Sequence, residues 1–294
     1  MLTLFILFFL TRLKTQCIYQ PKLKKLLINQ KLNVYLNPMQ LSRRAGGSKM
    51  PRWFRRKIKD ISEDMMKAGP YVPPPTRPNQ VQTATVPPEM EPLFSKAEEY
   101  VAKFFDDMHW DPTKGTITIS GNRYMLLSCE SFRDITRSLA SELDIPEEKA
   151  NNLYYRLARL VGQSDARRFH YTMNVQDPIG KLSAGPIHFA YTGNAFVSLL
   201  PSNPTPDENY VLMYDHPQSF EADVWIRKYG TTNQFPVCYW NCGYSAGWCT
   251  ESFGIALDAK EIRCRVKGDK TCRFVMAPKE KLDEKIADAY KKGF

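Results

Sequence analysis

Five of the seven cysteines fall between positions 238 and 272, at 238, 242, 249, 264 and 272, with Cys17 and Cys129 far upstream. Ordinary core packing does not concentrate thiols in this way, so whatever fold the last third adopts must bring them together. Cys264 and Cys272 stand on either side of Gly268-Asp269, a turn dipeptide that joins two strand-like runs and sets their arms face to face. Glu261 lies three residues before Cys264, and Cys238 and Cys242 are one helical turn apart. A secreted disulfide framework fits poorly, because the count is odd and the chain is long enough to fold without staples. Thiolates converging with a carboxylate are instead zinc-ligand chemistry, and the competing reading is a set of small buried apolar residues. A zinc ion held by three thiolates and one carboxylate carries a net charge of about −2, which is costly to bury without compensation. Arg263, Arg265, Lys267, Lys270 and Arg273 are the expected source of it.

Charge divides the chain. The formal net charge of +10 comes from 41 Lys and Arg against 31 Asp and Glu, but 14 of the bases lie in residues 1–59, where there is no acid before Asp60. The basicity therefore belongs to a leader and not to a domain face, which argues against nucleic acid as the partner. Leu2–Leu10 is apolar but only about half the length a membrane span requires, so no transmembrane span is expected. An acid-free, Arg- and Lys-rich segment interleaved with apolar residues has the composition of an organellar import peptide. The expected location is mitochondrial, with a plastid as alternative, or the cytoplasm if translation starts at Met39 or Met50. Trp53 to Lys59 is a candidate docking segment for an acidic partner or lipid surface. Eight of the 21 prolines lie between Pro70 and Pro92, so the organisation read from the sequence is a leader at 1–59, an extended linker or strap at 60–92, and one domain at 93–294.

Within the domain, helical spacing predicts helices over 93–108, 130–143, 146–165, 219–229 with Ser219 as cap, 237–253 despite its glycines, and 278–291. Strands are predicted over 116–120, 123–127, 187–200 and 210–214, with a hairpin pairing 261–267 and 271–276. Helices first and an antiparallel sheet later make an α+β domain with helices packed on the sheet. His109 and His170 have no partner pattern and read as surface or capping residues.

From Gly185 onward the chain resembles the 4-vinyl reductase type domain, also found as the N-terminal aromatic-sensing domain of XylR-like bacterial activators. The resemblance is carried by Ser219-Phe220-Glu221-Ala222-Asp223, Pro236-Val237-Cys238, Gly243-Tyr244-Ser245-Ala246-Gly247 and Glu261-Ile262-Arg263-Cys264 with Gly268 and Cys272. It implies a zinc site on Cys238, Glu261, Cys264 and Cys272, and leaves Cys242 and Cys249 as core residues. It also implies a zinc-stabilised, dimer-forming domain with a small-ligand pocket. His188 falls close to the family's ligand-binding histidine, and His216 stands near the position of its tryptophan. Phe189, Tyr191, Phe220, Trp225, Tyr239, Trp240 and Trp248 are the candidate walls, with plain core packing as the alternative reading.

No Gly-x-Gly-x-x-Gly turn and no Walker loop is present, and metal-bound thiolates make poor nucleophiles, so the sequence does not read as an enzyme. The leading expectation is a zinc-containing module that binds or senses a small apolar or aromatic ligand, without an output domain of its own. The alternative is a scaffold subunit of a mitochondrial or other organellar complex, with the proline strap wrapping its neighbours. The partners expected are a second copy or the subunits of such a complex.

Overall fold

The computed structural model describes residues 81–231 and 234–294. The segment expected to be an import leader, Cys17, Trp53 to Lys59 and the expected strap up to residue 80 lie outside the described residues.

The first element appears before the boundary expected at 93. Strand β1 (Ala84–Thr85) pairs in parallel with β5 (Ala195–Leu199), and Val81, Ala84 and Val86 are buried in the main core. Glu98 holds this segment down, its Oε1 accepting from the backbone N–H of Gln82 and of Thr83 and from the Thr83 hydroxyl, each at 2.7 Å. The prolines of this stretch conceal an alternating apolar run that docks on the domain itself.

Helix α1 (Glu91–Asp106) buries Phe94, Ala97, Val101 and Phe104 on one face, as its spacing requires. A small antiparallel sheet follows, β2 (Met108–Asp111), β3 (Thr116–Ile119) and β4 (Asn122–Tyr124). The expected helix over 130–143 is broken at Asp134 into α2 (Glu130–Arg133) and α3 (Ile135–Leu143), and α4 runs longer than expected, Glu147–Thr172.

The strand expected over 187–200 starts too early. Residues 178–191 form helix α5 (Pro178–Tyr191), and only Ala195–Leu199 is strand β5. The helix opens on Asp177, whose side chain accepts from Gly180 N at 2.6 Å with Pro178 in the first turn, and it carries Pro186 inside. The alternation of Ile187, Phe189 and Tyr191 imitates a strand, but the cap at Asp177, nearly three turns upstream, sets the local structure.

Strand β6 (Leu212–Ser219) leads into α6 (Phe220–Tyr229); the Ser219 side chain does not cap it, because its hydroxyl lies 3.3 Å from Cys238 Sγ and accepts from Asn241 Nδ2. Helix α7 (Tyr239–Phe253), strands β7 (Leu257–Arg263) and β8 (Cys272–Pro278) and helix α8 (Leu282–Lys291) complete the chain. The five-stranded sheet has the order β1-β5-β6-β8-β7, antiparallel except at β1. The expected α+β architecture is what the chain adopts.

The glycines of α7 serve packing. A Cβ at Gly243 would sit 2.2 Å from Tyr155 O and one at Gly247 2.1 Å from Arg159 O, while one at Gly162 of α4 would sit 2.2 Å from Tyr244 O. The two helices therefore meet backbone to backbone, α4 offering Ala150, Ala158, Gly162 and Ala166. On the other side of the sheet, α8 packs Ile286 and Ala289 on Met213 and Val275.

Candidate functional site

Two features share one face of the sheet. Because side chains alternate along a strand, Leu212, Tyr214 and His216 of β6 point the same way. Their cross-strand partners on β8 are Met276, Phe274 and Cys272, and Phe274 is in turn paired with Glu261 of β7. The sheet face thus carries aromatic and aliphatic residues toward one end and the thiol cluster toward the other, with His216 directly opposite Cys272.

In the cluster, Cys238 immediately precedes α7, Glu261 is on β7, Cys264 follows that strand and Cys272 opens β8. All four are buried, and their donor atoms lie within 4.8 Å of one another. Cys238 Sγ is 3.5 Å from Cys272 Sγ, which is 3.9 Å from Cys264 Sγ. A disulfide needs about 2 Å, whereas tetrahedral zinc–thiolate bonds of about 2.3 Å set sulfur atoms about 3.8 Å apart. The thiols are free, and their spacing matches the second geometry. Glu261 accepts from Cys238 N through Oε2 at 3.0 Å, while its Oε1 is buried without a hydrogen-bond partner. Asp269 pins the hairpin turn by accepting from Cys264 N at 2.8 Å. Three soft donors and one hard donor at this spacing fit a tetrahedral divalent ion such as zinc.

Burial pushes the Cys238 thiol and the Glu261 carboxyl well above their ordinary values. Hydrogen bonds from Cys238 and Cys272 hold Cys264 far below its own. Loading a divalent ion would release the protons that these groups carry.

The expected cationic surround is not what the structure builds. Arg265 pairs with Asp223, and Arg273 makes a two-pronged contact to Asp215 at 2.7 and 2.8 Å. What faces the sulfurs is backbone: Arg265 N lies 3.5 Å from Cys272 Sγ, and the cluster abuts the N-terminus of α7, where the helix dipole favours negative charge. The first turn of α7 is closed by buried Glu221, whose oxygens each accept at 2.9 Å, from Trp240 N and Asn241 N; burial pushes its pKa up to about 8. Cys242 and Cys249 stay out of the cluster, as expected.

Beyond the cluster, between α5, α7 and the sheet, lies a cavity of about 40 Å³ lined by Phe189, Leu199, Tyr214, His216, Tyr244 and Trp248 among others. Its surface is almost wholly apolar, yet both ring nitrogens of His216 and the Tyr214 hydroxyl are buried with no hydrogen-bond partner. Burial lowers the His216 pKa to about 3, so the ring is neutral at pH 7 and offers one donor and one acceptor.

Of the ligand-binding residues expected from the sequence, Phe189, His216 and Trp248 line this cavity, while Tyr239 lines a separate cleft. His188 points to the other side of α5, packed against Phe105 and Trp248 with ring centroids 5.3 and 4.9 Å away. Tyr191 stacks on Phe105 near the surface. Trp225 lines that same cleft, of about 430 Å³, and Phe220 and Trp240 pack on Phe132 beside it. The residues missed, Tyr214 and Met276, carried a period-2 signal on their strands, but the facing helix could not be placed without the tertiary structure. His170 is buried beside Trp248, not at the surface, and burial lowers its pKa to about 4; His109 is exposed as expected.

A family model described as activator of aromatic catabolism matches residues 104–201. The transcriptional regulatory protein XylR of Pseudomonas putida is 26% identical over 166 residues, which is 55% of this chain and 28% of that protein. The chain thus spans little more than a quarter of the length of that relative. Among solved structures, the phenol-responsive sensory domain of the transcription activator PoxR, in complex with phenol, superposes with a TM-score of 0.55 at 22% identity, covering 66% of this chain and 96% of that one. The four cluster residues and His216 all lie outside the span of the family match. These relatives are regulatory proteins, and the described part of the chain is similar, in sequence and in fold, to the sensory domain of XylR-type activators.

Proposed function

We propose that this domain is a zinc-stabilised sensing module for a small hydroxylated aromatic ligand, bound in the cavity beneath His216. The observation that carries the reading is the neutral, unpartnered imidazole set in an apolar lining: a buried polar group without a partner costs free energy that a ligand hydroxyl would recover. The PoxR domain with phenol supports the same ligand class. At about 40 Å³ the cavity is well short of the roughly 150 Å³ that admits benzene in an engineered core. Binding therefore requires the walls, Trp248 and Phe189 foremost, to move outward, and that movement is what a sensor can transmit. Zinc would supply folding free energy and hold the end of the sheet on which His216 sits; Cys238, Glu261, Cys264 and Cys272 would be its ligands.

The test is calorimetric titration of the chain with phenol and with benzene. The expected result is that phenol binds and that His216→Leu weakens phenol about tenfold, one hydrogen bond's worth, while leaving benzene nearly unchanged. Failure to bind either compound, or equal phenol affinity in the variant, would overturn the assignment and leave the domain as a scaffold.

A further inference from the structure

The cleft of about 430 Å³ is lined by α4 and α6 with acidic and aromatic side chains. Glu147, Asn151 and Tyr154 stand at i, i+4 and i+7 of α4 and therefore share a face, and Glu221 and Trp225 stand at i and i+4 of α6. Phe132 and Tyr239 complete the aromatic wall. The space is well above the roughly 150 Å³ that admits benzene in an engineered core, and no residue lines both this cleft and the cavity at His216.

Its two buried lining residues are Tyr154, 3% exposed, and Glu221, 6% exposed. Both touch Trp240: its ring centroid lies 5.6 Å from that of Tyr154, and its backbone N–H donates to Glu221 at 2.9 Å. The Tyr154 hydroxyl has no hydrogen-bond partner; burial, and then the nearby Glu221 carboxyl, push its pKa above the ordinary value. Each Glu221 oxygen accepts one backbone N–H of α7 and keeps a second lone pair. An unpartnered tyrosine oxygen near a carboxylate calls for a guest that donates more than one hydrogen bond. A carboxylate guest meets Glu221 as a like charge, and a hydroxyl has one proton for two acceptors, whereas an ammonium has three donors and the opposite charge.

The charges at the mouth agree. Glu147 and Glu148 are exposed and make no ion pair among the described residues, whereas the Arg133 guanidinium meets Asp134 at 3.2 Å. Arg137 lies over the Trp225 and Tyr229 rings, 4.8 and 5.1 Å from their centroids, with no carboxylate partner among the described residues. The aromatic wall thus already receives a cation of the protein's own. We infer that this cleft is a second ligand site, for a small aromatic amine, with the ammonium held by Glu221 and the Tyr154 hydroxyl and the ring on Trp225 and Phe132. It is separate from the phenol reading of the cavity, and either can fail without the other.

The test is calorimetric titration of the full chain with phenethylamine and with phenylacetate, which share a ring and differ in charge. The buffer is set at about pH 8.5, above the value of about 8 to which burial raises Glu221 and below the roughly 10 of an alkylammonium. The expected result is that the amine binds and the acid does not. Tyr154→Phe should weaken the amine about tenfold, the share of one hydrogen bond to a charged group, without lowering Tm, since the hydroxyl it removes is unpartnered. Arg137→Gln changes an exposed side chain and should strengthen the amine about threefold, by removing a like charge and baring Trp225. Absence of amine binding by the wild-type chain, preference for phenylacetate, full amine affinity in Tyr154→Phe or a loss of it in Arg137→Gln overturns the inference. So does amine binding that His216→Leu abolishes, which would put the guest in the other cavity.

Discussion

Gly247→Ala tests the contact on which the whole helical layer rests. The added Cβ would lie 2.1 Å from Arg159 O and 2.9 Å from Gln163 N, both backbone atoms that no rotamer change can move. A relaxed carbon–oxygen contact is about 3.3 Å, so α4 and α7 must separate by roughly 1 Å. A gap of that size forfeits a quarter to a half of each van der Waals contact along the interface. Overpacking of this kind costs about 3 kcal/mol, against which the better helix propensity of alanine returns about 1 kcal/mol. The net expectation is a loss of about 2 kcal/mol, a large share of a domain stability of about 5–15 kcal/mol. Urea denaturation followed by tryptophan fluorescence measures it, since Trp248 lies one residue away and is buried. An alanine variant as stable as the wild type, with an unchanged m-value, would refute the backbone contact and with it the placement of α4 on α7.

Cys264→Ser and Cys272→Ser should each lose bound zinc, read by metal analysis, and lower Tm, because a site left with two thiolates forfeits metal binding that is part of the folding free energy; unchanged metal content in both variants would sink the assignment. The pKa of His188 is lowered by burial to about 3, so its neutral form stabilises the fold above the unfolded value of about 6.5, and that stability drains away as pH falls from there toward 3. His188→Phe should therefore flatten the loss of stability between pH 6.5 and 4 measured by urea titration; an unaltered pH profile would place the acid sensitivity elsewhere. Asp215→Asn leaves the Arg273 guanidinium half of a contact that is 13–14% exposed and should cost about 2–3 kcal/mol, whereas Lys260→Ala, whose 4.0 Å contact to Asp283 is open to water, should cost under about 0.5 kcal/mol. Comparable losses at the two sites would contradict the burial argument.

How far the sequence carries depends on how local the causes are. The thiol and carboxylate cluster was readable because three of its members sit within twelve residues around one turn, so a hairpin alone brings Glu261, Cys264 and Cys272 together. The helices with distinct boundaries, such as the one opened by Pro146 and two acids, were likewise set by caps and dipoles acting over a single turn. Helix α5 shows the limit of that reading: Asp177 and Pro178 announced it, yet the alternation downstream was the louder pattern.

What only the tertiary structure decided are the relations between elements distant in the chain. Residues 81–86 read as strap because proline content says nothing about what an extended segment lies against, and here it lies against β5. The basic residues near the cluster were close in sequence but turned to Asp215 and Asp223, since strand pairing and not chain distance sets which carboxylate a guanidinium meets. The aromatic residues expected to form one pocket were divided among a cavity, a cleft and the surface, because each helix exposes several faces and its rotation is set by packing. Sequence alone brought out the thiols and the carboxylate gathered around one hairpin and most of the helices, for those depend on side-chain chemistry and neighbours a few positions away. The lining of the cavity and of the cleft depends on how backbones approach across the sheet and between helices, which the glycines permit but do not direct.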